Sequence, residues 1–557
     1  MAMTDLAPAR ASDEPRRTPP LRDRLSPPVP GSALLGWLGP LLVTAFAAFL
    51  RFDRLSVPKT VVFDETYYAK DALSLLKFGW EHSTVKDADK LLIKDPNAHI
   101  WAEGPSFVAH PPGGKWMIAI GEWLFGATPF GWRFMPALFG TLAVLVLCRV
   151  ARRMTGSTLL GCAAGLLLAL DGLQFVTSRA ALLDVFVQFW IIAAFACLVN
   201  DRFRSRAELA DRIDARGGPD AGSPYGPFLV HGWLIAAGVC LGMACATKWT
   251  GVFYVAAFGL MVLFWDFGAR RAAGVPRPLD GTLLLTAVPA FVQLVVVAAL
   301  TYLASWWGWI FRPGGWGRGE VAGSPPLRPF EALPDLWRYH VEMWNFHNGL
   351  DSKHPYQSWP WDWPILRRPV AFFYSEPKGG CGEAARCSRE ILGIGTPALW
   401  WGGLIALVVA VGLWLVARDW RAGAILLGYT AGWLSWFPNA FADRTMFLFY
   451  TTPMIPFMVL AVVLTLGVLI GPQPTRAAAL TRLPRLYGTA AAAPAETAAK
   501  IGGVLARMET RRMVGAAIAG AFILVVLANF AYFYPVLAAK VISYDEWHAR
   551  IWFKDWI

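Results

Sequence analysis

Long apolar runs alternate with short polar connectors along the chain, and this pattern predicts a helical membrane protein. The runs are continuous and lack the strict apolar/polar alternation of a membrane β-barrel. In lipid only helices or closed barrels satisfy their own backbone polar groups, and about 20 apolar residues cross the hydrocarbon core. We therefore predict an all-α polytopic protein with eleven transmembrane helices, near residues 34–50, 131–149, 155–171, 181–199, 228–246, 250–267, 282–304, 397–417, 422–437, 445–470 and 513–534.

Two tails are expected to flank this transmembrane domain, which spans residues 34–534. Residues 1–33 are rich in Pro, Arg, Asp and Ala, a composition that predicts a disordered N-terminal tail. No convincing small-residue cleavage site follows, so the first span is predicted to be an uncleaved anchor. Residues 535–557 carry several Trp residues and alternating charges, which predicts a tail lying on the membrane surface.

Arginine is concentrated in every second connector, and this predicts the orientation. Short loops rich in Lys and Arg stay on the cytoplasmic side, which places the N-terminus and the 471–512 loop inside and, with an odd number of spans, the C-terminus outside. The long loops 51–130 and 305–396 are then extracytoplasmic. The apolar piece 116–125 is too short to span and is expected to lie along the outer interface. The indicative arginines are Arg149, Arg152, Arg153, Arg202, Arg204, Arg206, Arg270, Arg271, Arg277, Arg418, Arg421, Arg476, Arg482, Arg485, Arg511 and Arg512.

Composition supports a plasma-membrane protein and argues against other classes. Hydrophobic residues make up 56% of the 557 residues, more than the 45–50% typical of soluble proteins. Much of the arginine behind the formal charge of +12 lies in the connectors, and no nucleic-acid motif is present, so no nucleic-acid partner is predicted. Walker, Rossmann and GxSxG motifs are absent, as is a CxxC pair for zinc. No cofactor is predicted, and a divalent metal remains an open alternative.

Polar residues collect at the predicted outer ends of the spans. A charge costs about 2.5–3.5 kcal/mol at mid-bilayer on insertion scales, so such residues are expensive to keep and point to function. Carboxylates mixed with cations at one face suit an anionic, lipid-linked substrate, because cations hold a phosphate and a carboxylate acts as a base. The members of this layer are Asp64, Glu65, His110, Lys115, Arg133, Asp171, Arg179, Asp184, Lys248 and Arg444.

Motifs in this layer carry a family resemblance. The segments are "FDETYYAKDA", "HPPGGK", "WRFMPALFGTL", "LLALDGLQFVTSRAALLD" and "TKWTG". In this order they resemble the protein O-mannosyltransferases, glycosyltransferase family 39, which have a GT-C fold. The resemblance runs from about residue 35 to the C-terminus. The loop 305–396 is too short for the β-trefoil domain of the eukaryotic members and looks like that of the bacterial, actinobacterial-type branch.

The resemblance implies transfer of mannose from polyprenyl-phosphate-mannose to Ser/Thr of secreted proteins, with the secretion translocon as a candidate partner. The family's donor is β-linked and its product α-linked, so the reaction inverts in one displacement. Asp64 is predicted to be the base for the acceptor hydroxyl. Glu65, which must point elsewhere, is predicted to fix the acceptor or neighbouring side chains. Residues predicted to bind the lipid phosphate or substrate are Arg133, Arg444, His110, Lys115, Arg179 and Lys248.

Ordinary structural interpretations of these residues stay open. Asp64 would otherwise be a solvated loop acid, Arg133 a headgroup anchor and His110 a rigid turn residue before two prolines. A structural ion-pair network is the alternative for Asp171, Arg179 and Asp184.

Histidines and cysteines of the second long loop suggest two further features. Three histidines spaced by seven would share one helical face, but Pro355 is expected to end the helix. A peptide-acceptor surface is therefore favoured over a zinc site. Cys381 and Cys387 are predicted to form a disulfide, because disulfides persist outside the cytoplasm. The three histidines are His340, His347 and His354.

Two other functions remain as alternatives. One is a GT-C transferase that moves a sugar to a lipid or cell-wall polymer, since only the acceptor site would differ. The other is a membrane transporter, which would show pseudo-symmetric halves and polar breaks near mid-membrane. No such halves are visible, and the polar layer lies at the span ends.

Overall fold

Helices make up most of the computed structural model, which describes residues 20–219, 222–319, 329–472 and 494–557. In chain order they are α1 (Leu21–Leu25), α2 (Ala33–Phe52), α3 (Glu65–Phe78), α4 (Ala88–Lys94), α5 (Gly113–Phe125), α6 (Pro129–Thr155), α7 (Thr158–Ala169), α8 (Gly172–Thr177), α9 (Asp184–Ala215), α10 (Gly232–Thr247), α11 (Gly251–Ala272), α12 (Pro278–Ser305), α13 (Trp307–Phe311), α14 (Leu333–Asn348), α15 (Pro397–Leu415), α16 (Trp420–Leu434), α17 (Phe437–Phe441), α18 (Leu448–Ile470), α19 (Pro494–Leu537) and α20 (Tyr544–His548). The strands are β1 (His82–Thr84), β2 (Trp101–Pro105), β3 (Val370–Ser375), β4 (Cys387–Gly393) and β5 (Ile542–Ser543).

Eight of the described helices are long and apolar enough to cross a membrane: α2, α6, α9, α11, α12, α15, α18 and α19. Three shorter helices, α7, α10 and α16, lie where the sequence predicts the remaining spans. The structure is thus consistent with eleven crossings, and the all-α polytopic class is confirmed.

Local sequence explains where these helices begin and end, as α6 illustrates. The Thr128 hydroxyl accepts a hydrogen bond from the Gly131 N–H at 3.1 Å, and Pro129 occupies the first helical position. The helix ends at Gly156, whose φ of +70° suits the left-handed cap that glycine adopts without strain.

The bundle core is built around α9 and α18. The most apolar windows of these two helices are 67% and 72% buried, whereas those of α2, α12 and α19 are only 22% buried. Helices α10 and α12 approach closely at Gly242, where a Cβ would lie 2.6 Å from the Ala298 carbonyl oxygen. Small residues at such crossings let transmembrane helices pack tightly.

The first long loop folds into α3, α4, α5 and the antiparallel pair β1–β2. Helix α5 contains the apolar piece 116–125 and is two-sided. Met117 and Ile118 are buried, while Trp123 and Leu124 are exposed. That amphipathic form suits an interfacial helix, and its depth in the membrane stays a prediction.

The second long loop and the C-terminal segment form one unit. Strands β3, β4 and β5 make an antiparallel sheet, with β5 supplied by the C-terminus. The Trp547 indole donates to the Glu390 carboxylate at 2.6 Å, and the Trp556 indole to the Leu366 carbonyl at 2.9 Å. The 535–557 segment is therefore packed onto the protein by its buried tryptophans, and its position at the membrane surface stays a prediction.

Two predicted boundaries change. Residues 1–19 lie outside the described residues, but α1 follows them and packs on α9, with Leu25 buried and Arg22 paired with Asp211 at 2.7 Å. The last part of the predicted disordered tail is therefore folded. Residues 473–493 also lie outside the described residues, and α19 already begins at Pro494. The second half of the predicted 471–512 loop is thus helical.

Candidate active site

A strained residue, Phe63, precedes the two adjacent acids at the start of α3, where Asp64 is the cap residue and Glu65 the first helical residue. Phe63 has a φ of +46°, a conformation that costs a non-glycine residue energy, and its ring stacks on Phe372 at 4.9 Å. The Asp64 side chain is partly exposed, whereas Glu65 is fully buried. The two carboxylates therefore point to different environments, as the sequence predicts.

Glu65 is the centre of a buried ion pair. Its carboxylate accepts two hydrogen bonds from Arg133, both at 2.8 Å, and one each from the backbone N–H of Val62 and Ala181 at 3.0 Å. The contacts link α3, α6 and the segment before α9. Glu65 thus fixes neighbouring groups, and it does not face a substrate cavity.

Arg133 has no hydrogen-bond donor left for a phosphate. Besides Glu65, its guanidinium donates to the carbonyls of Leu55, Pro58 and Thr60 at 3.3, 2.9 and 2.7 Å. Together these bonds use all five N–H groups of the side chain. The Arg133 side chain therefore clamps the loop that carries Asp64 and offers no donor for the predicted phosphate contact in this structure.

Two further predicted cations are also engaged by the protein. The Lys115 ammonium donates to the Glu81 carboxylate and to the His110 carbonyl. Arg179 donates to successive carbonyls at the end of α2, where a cation complements the helix terminus. Neither side chain lines the cavity described below, and their substrate role stays a prediction. The Arg179 acceptors are the carbonyls of Leu50, Arg51, Asp53 and Arg54.

A cavity of about 1170 Å³ lies between α11, α12, α14 and α16. One end is polar and contains His110, Asp184, Lys248, His347 and Arg444. The other part is an apolar arm between the helices. Its walls include Val252, Phe253, Val295, Ala298, Leu427 and Leu434.

Lys248 is held at the polar end by Asp184. Its ammonium lies 2.8 and 2.9 Å from the two carboxylate oxygens, which leaves one N–H for another acceptor. Asp184 therefore pairs with Lys248 and not with Arg179. Asp171 caps α8 and accepts from the Trp400 indole at 2.6 Å. The alternative of a structural Asp171–Arg179–Asp184 network is wrong.

Asp64 adjoins this polar end and is available for chemistry. Its carboxylate makes no hydrogen bond or ion pair to the residues that the structure describes. Burial raises its pKa from 3.8 to about 6, the Lys248 charge lowers it, and the Asp184 charge raises it. A carboxylate with this pKa is a better base than an ordinary aspartate and is still mostly ionised at neutral pH.

Arg444 and two histidines complete the polar end. Arg444 donates to the His347 carbonyl at 3.0 Å and to its Nδ1 at 3.3 Å. Burial and the Arg444 charge lower the His347 pKa to about 4. Burial, followed by the charges of Lys248 and His347, lowers the His110 pKa well below its usual value. Both rings are therefore neutral near pH 7.

Two of the three histidines spaced by seven residues lie on one helix, and the third does not. His340 and His347 lie on α14 and both line the cavity, whereas α14 ends at Asn348, before His354. The three therefore do not share a helical face. Within the described ranges, no three His, Cys, Asp or Glu side chains form a group that could hold a metal ion.

Several cavity residues escaped the sequence analysis. Tyr302 accompanies His340, its hydroxyl 2.6 Å from Nε2, and Tyr450 lies under the Lys248 ammonium at 5.2 Å from its ring centre. Asn439 also lines the cavity. The "DRTMFLFYTT" segment around Arg444 is the only signal that pointed near Tyr450. Away from the cavity, Cys381 and Cys387 form a disulfide, with Cα atoms 5.7 Å apart.

Comparison with known proteins gives independent evidence on the family of this chain. Residues 41–214 match the family model described as dolichyl-phosphate-mannose-protein mannosyltransferase, and residues 332–556 match the C-terminal four TMM region of protein-O-mannosyltransferase. A polyprenol-phosphate-mannose–protein mannosyltransferase of Mycolicibacterium smegmatis is 37% identical, over 94% of this chain and 93% of its own. One from Mycobacterium tuberculosis is 36% identical, over 95% and 93%.

A solved structure shows the same fold. The Saccharomyces cerevisiae protein O-mannosyltransferase Pmt1–Pmt2 complex bound to the sugar donor aligns with a TM-score of 0.65 at 14% identity, covering 95% of each chain. The predicted GT-C architecture is thereby confirmed. By its matches across nearly the whole length, the chain belongs to the protein O-mannosyltransferase family.

Proposed function

We propose that this protein transfers mannose from polyprenyl-phosphate-mannose to Ser or Thr hydroxyls of secreted proteins. The observation that carries the proposal is the Asp64 carboxylate, which has no partner among the described residues and lies near enough to Lys248 and Asp184, at the polar end of a cavity with an apolar arm, to be acted on by their charges. A polyprenyl chain fits the apolar arm and a phosphate fits the cationic end. The names of the mycobacterial relatives supply the sugar and the acceptor class.

The chemistry follows from the free groups at the polar end. Asp64 takes the proton of the acceptor hydroxyl as its oxygen attacks the anomeric carbon. A new carbon–oxygen bond forms on one face while the bond to phosphate breaks on the other, which inverts the configuration and releases polyprenyl phosphate. Because phosphate is a good leaving group, no general acid is required. Lys248 and Arg444, with N–H groups to spare, stabilise the departing charge.

The neutral histidines suit the sugar and not the phosphate. His110 lines the cavity, and its Nδ1 is buried without a hydrogen-bond partner among the described residues. A neutral imidazole both donates and accepts hydrogen bonds, as sugar hydroxyls require. A buried polar atom without a partner costs free energy, and a substrate hydroxyl would remove that cost.

The proposed location is the plasma membrane, with the N-terminus in the cytoplasm and the active site outside. The arginine-rich connectors support this orientation, and so does the Cys381–Cys387 disulfide, because disulfides persist outside the cytoplasm. Acceptors would then be secreted chains, with the secretion translocon as a candidate partner.

The direct test is mannose transfer by purified protein. We expect radiolabelled mannose to move from synthetic polyprenyl-phosphate-mannose to a Thr/Pro-rich peptide, and the peptide sugar to be α-linked. If the peptide stays unlabelled while mannose moves from the donor to an added lipid or polymer, the acceptor is a lipid or polymer and not a protein. An intact donor with every acceptor would contradict a transferase altogether.

A pH profile tests the state of Asp64. The base must be ionised, so kcat/KM should fall about tenfold per pH unit below the Asp64 pKa of about 6. An ordinary aspartate, with a pKa of about 3.9, would leave activity constant over this range. The measurement is initial rates at subsaturating donor from about pH 5 to about pH 8. A flat profile would show that Asp64 is not titrating as the base.

Arg444 provides a test of phosphate binding. Arg444→Gln should lower kcat/KM for the donor about 10- to 100-fold, as expected for the loss of a charge-assisted hydrogen bond, and leave the KM for peptide unchanged. Arg312→Gln is the matched control, because Arg312 is an exposed arginine just after α13 that does not line the cavity. Equal losses in the two variants would count against a specific contact.

A further inference from the structure

Arg202 is a buried cation on α9. Its side chain is only 6% exposed and its Nε has no partner, and the guanidinium makes no ion pair with the residues that the structure describes. It follows Asp184 on α9 by eighteen residues, which is about 27 Å along the helix. Arg202 therefore lies near the opposite boundary of the hydrocarbon core, far from the cavity.

Aromatic rings hold this guanidinium in place. Its central carbon lies 3.6 Å from the Trp420 ring centre, 5.6 Å from Trp265 and 5.5 Å from Phe203. These cation–π contacts fix the orientation of the plane and offset part of the desolvation cost. The aromatic rings lie against the face of the guanidinium and do not accept hydrogen bonds from the N–H groups in its plane. These N–H groups therefore remain available to another acceptor.

Two more arginines share aromatic neighbours with Arg202, namely Trp265 for Arg206 and Phe203 for Arg153. Arg206, one turn further along α9, has a buried Nε without a partner in the described part of the chain, and its Nη2 makes a long 3.5 Å hydrogen bond to the Trp265 carbonyl. Arg153 of α6 stacks on Phe203 at 3.9 Å. We refer to Arg153, Arg202 and Arg206 as the Arg202 cluster.

The two neighbouring carboxylates, Asp266 and Asp419, do not neutralise this cluster. The Asp266 charge acts on Arg206, but its carboxylate is paired with the Arg270 side chain at 2.8 Å. Asp419 accepts from the Arg421 side chain with both oxygens, at 2.6 to 3.0 Å, and from the Arg421 backbone N–H at 2.9 Å. Its charge is thus matched by Arg421. Three cations remain in excess where α6, α9, α11 and α16 meet.

We propose that the Arg202 cluster binds a phosphate group, supplied by the headgroup of an anionic phospholipid in the cytoplasmic leaflet. The guanidinium is planar and pairs with phosphate oxygens through two parallel N–H groups. Basic pockets between transmembrane helices on the cytoplasmic side suit anionic headgroups. The site is separate from the sugar-transfer cavity, and only its assignment to that leaflet rests on the proposed orientation.

The test is lipid binding by the full-length protein, purified in detergent and observed by native mass spectrometry. We expect phosphatidylglycerol to bind about tenfold more tightly than phosphatidylcholine with the same acyl chains, because only its net negative charge is matched by the cluster. Arg206→Gln should remove most of this preference. Arg202→Lys keeps the charge but loses the paired donors, and should weaken it as well.

Arg204→Gln is the matched control, since Arg204 lies on the same helix between the two cluster residues and is exposed. It should leave the preference intact despite the same change in net charge. Inorganic phosphate forms the second arm. Binding of free phosphate with no preference for phosphatidylglycerol would overturn the lipid as the source. No preference in the wild type, or an equal loss in Arg204→Gln, would overturn the site.

Discussion

Replacing Asp64 with Asn should lower the turnover number for mannose transfer by a factor of about 10²–10⁴, the usual contribution of a general base. Asparagine has the same shape but cannot take the proton of the acceptor hydroxyl. The native carboxylate makes no hydrogen bond or ion pair to the described part of the chain. The substitution therefore breaks no protein contact, and the loss should appear in kcat while donor binding persists.

The measurement is transfer to peptide under donor and acceptor saturation, with the thermal unfolding midpoint recorded in parallel. Asp95→Asn is the matched control, because Asp95 is an exposed aspartate of the same loop, and its carboxylate accepts a hydrogen bond from the Asn97 N–H at 2.9 Å. That variant should retain full activity. A folded Asp64→Asn enzyme with wild-type turnover would remove Asp64 as the base and leave the family assignment standing.

The helices could be predicted from the sequence because the signals that start and end each one lie within the same segment. A segment such as α6 carries a cap, a proline start and a glycine stop within itself. The tail beyond α19 was different. Its tryptophans suit a membrane surface equally well, and only the partners Glu390 and Leu366, far away in sequence, decide that they are buried.

The candidate site could be predicted as a layer of charges but not as a set of roles. Composition placed Asp64, Lys248 and Arg444 at one end of the bundle, and the structure brings them to one cavity or its edge. The different surroundings of the two acids follow a residue with a positive φ, Phe63, and Glu65 alone is bound by Arg133. Sequence patterns do not reveal such a strained conformation in a phenylalanine, so Glu65 and its neighbours were harder to assign.

The pairing of cations was also hidden. Lys248 pairs with Asp184, which is 64 residues away in the sequence, and Arg133 pairs with Glu65, which is 68 residues away. Local spacing carries no information on such distant partners. A lysine with one N–H to spare and an arginine with none look alike in a motif, so the number of free donors could be counted only in the structure.

Removing Arg133 should produce the second large effect. Arg133→Met keeps similar length but leaves the Glu65 carboxylate buried with half of its hydrogen bonds gone, and leaves three loop carbonyls without their donor. Breaking a buried ion pair by removing one partner costs about 3–5 kcal/mol. We expect a matching loss in the free energy of unfolding, measured by denaturant titration in detergent, and reduced activity even below the midpoint because the Asp64 loop is no longer clamped.

Arg212→Met is the control for this prediction, since Arg212 pairs with Glu208 one turn away at 2.6 Å with both side chains partly exposed. Exposed pairs contribute about 0–1 kcal/mol, so this variant should unfold almost as the wild type does. Combining Glu65→Gln with Arg133→Met should lower the free energy of unfolding by less than the sum of the two single changes. Each single change leaves one buried charge without its partner, whereas the double change removes both charges. Additive losses, or a stable Arg133→Met protein with normal turnover, would show that the ion pair does not hold Asp64 in place.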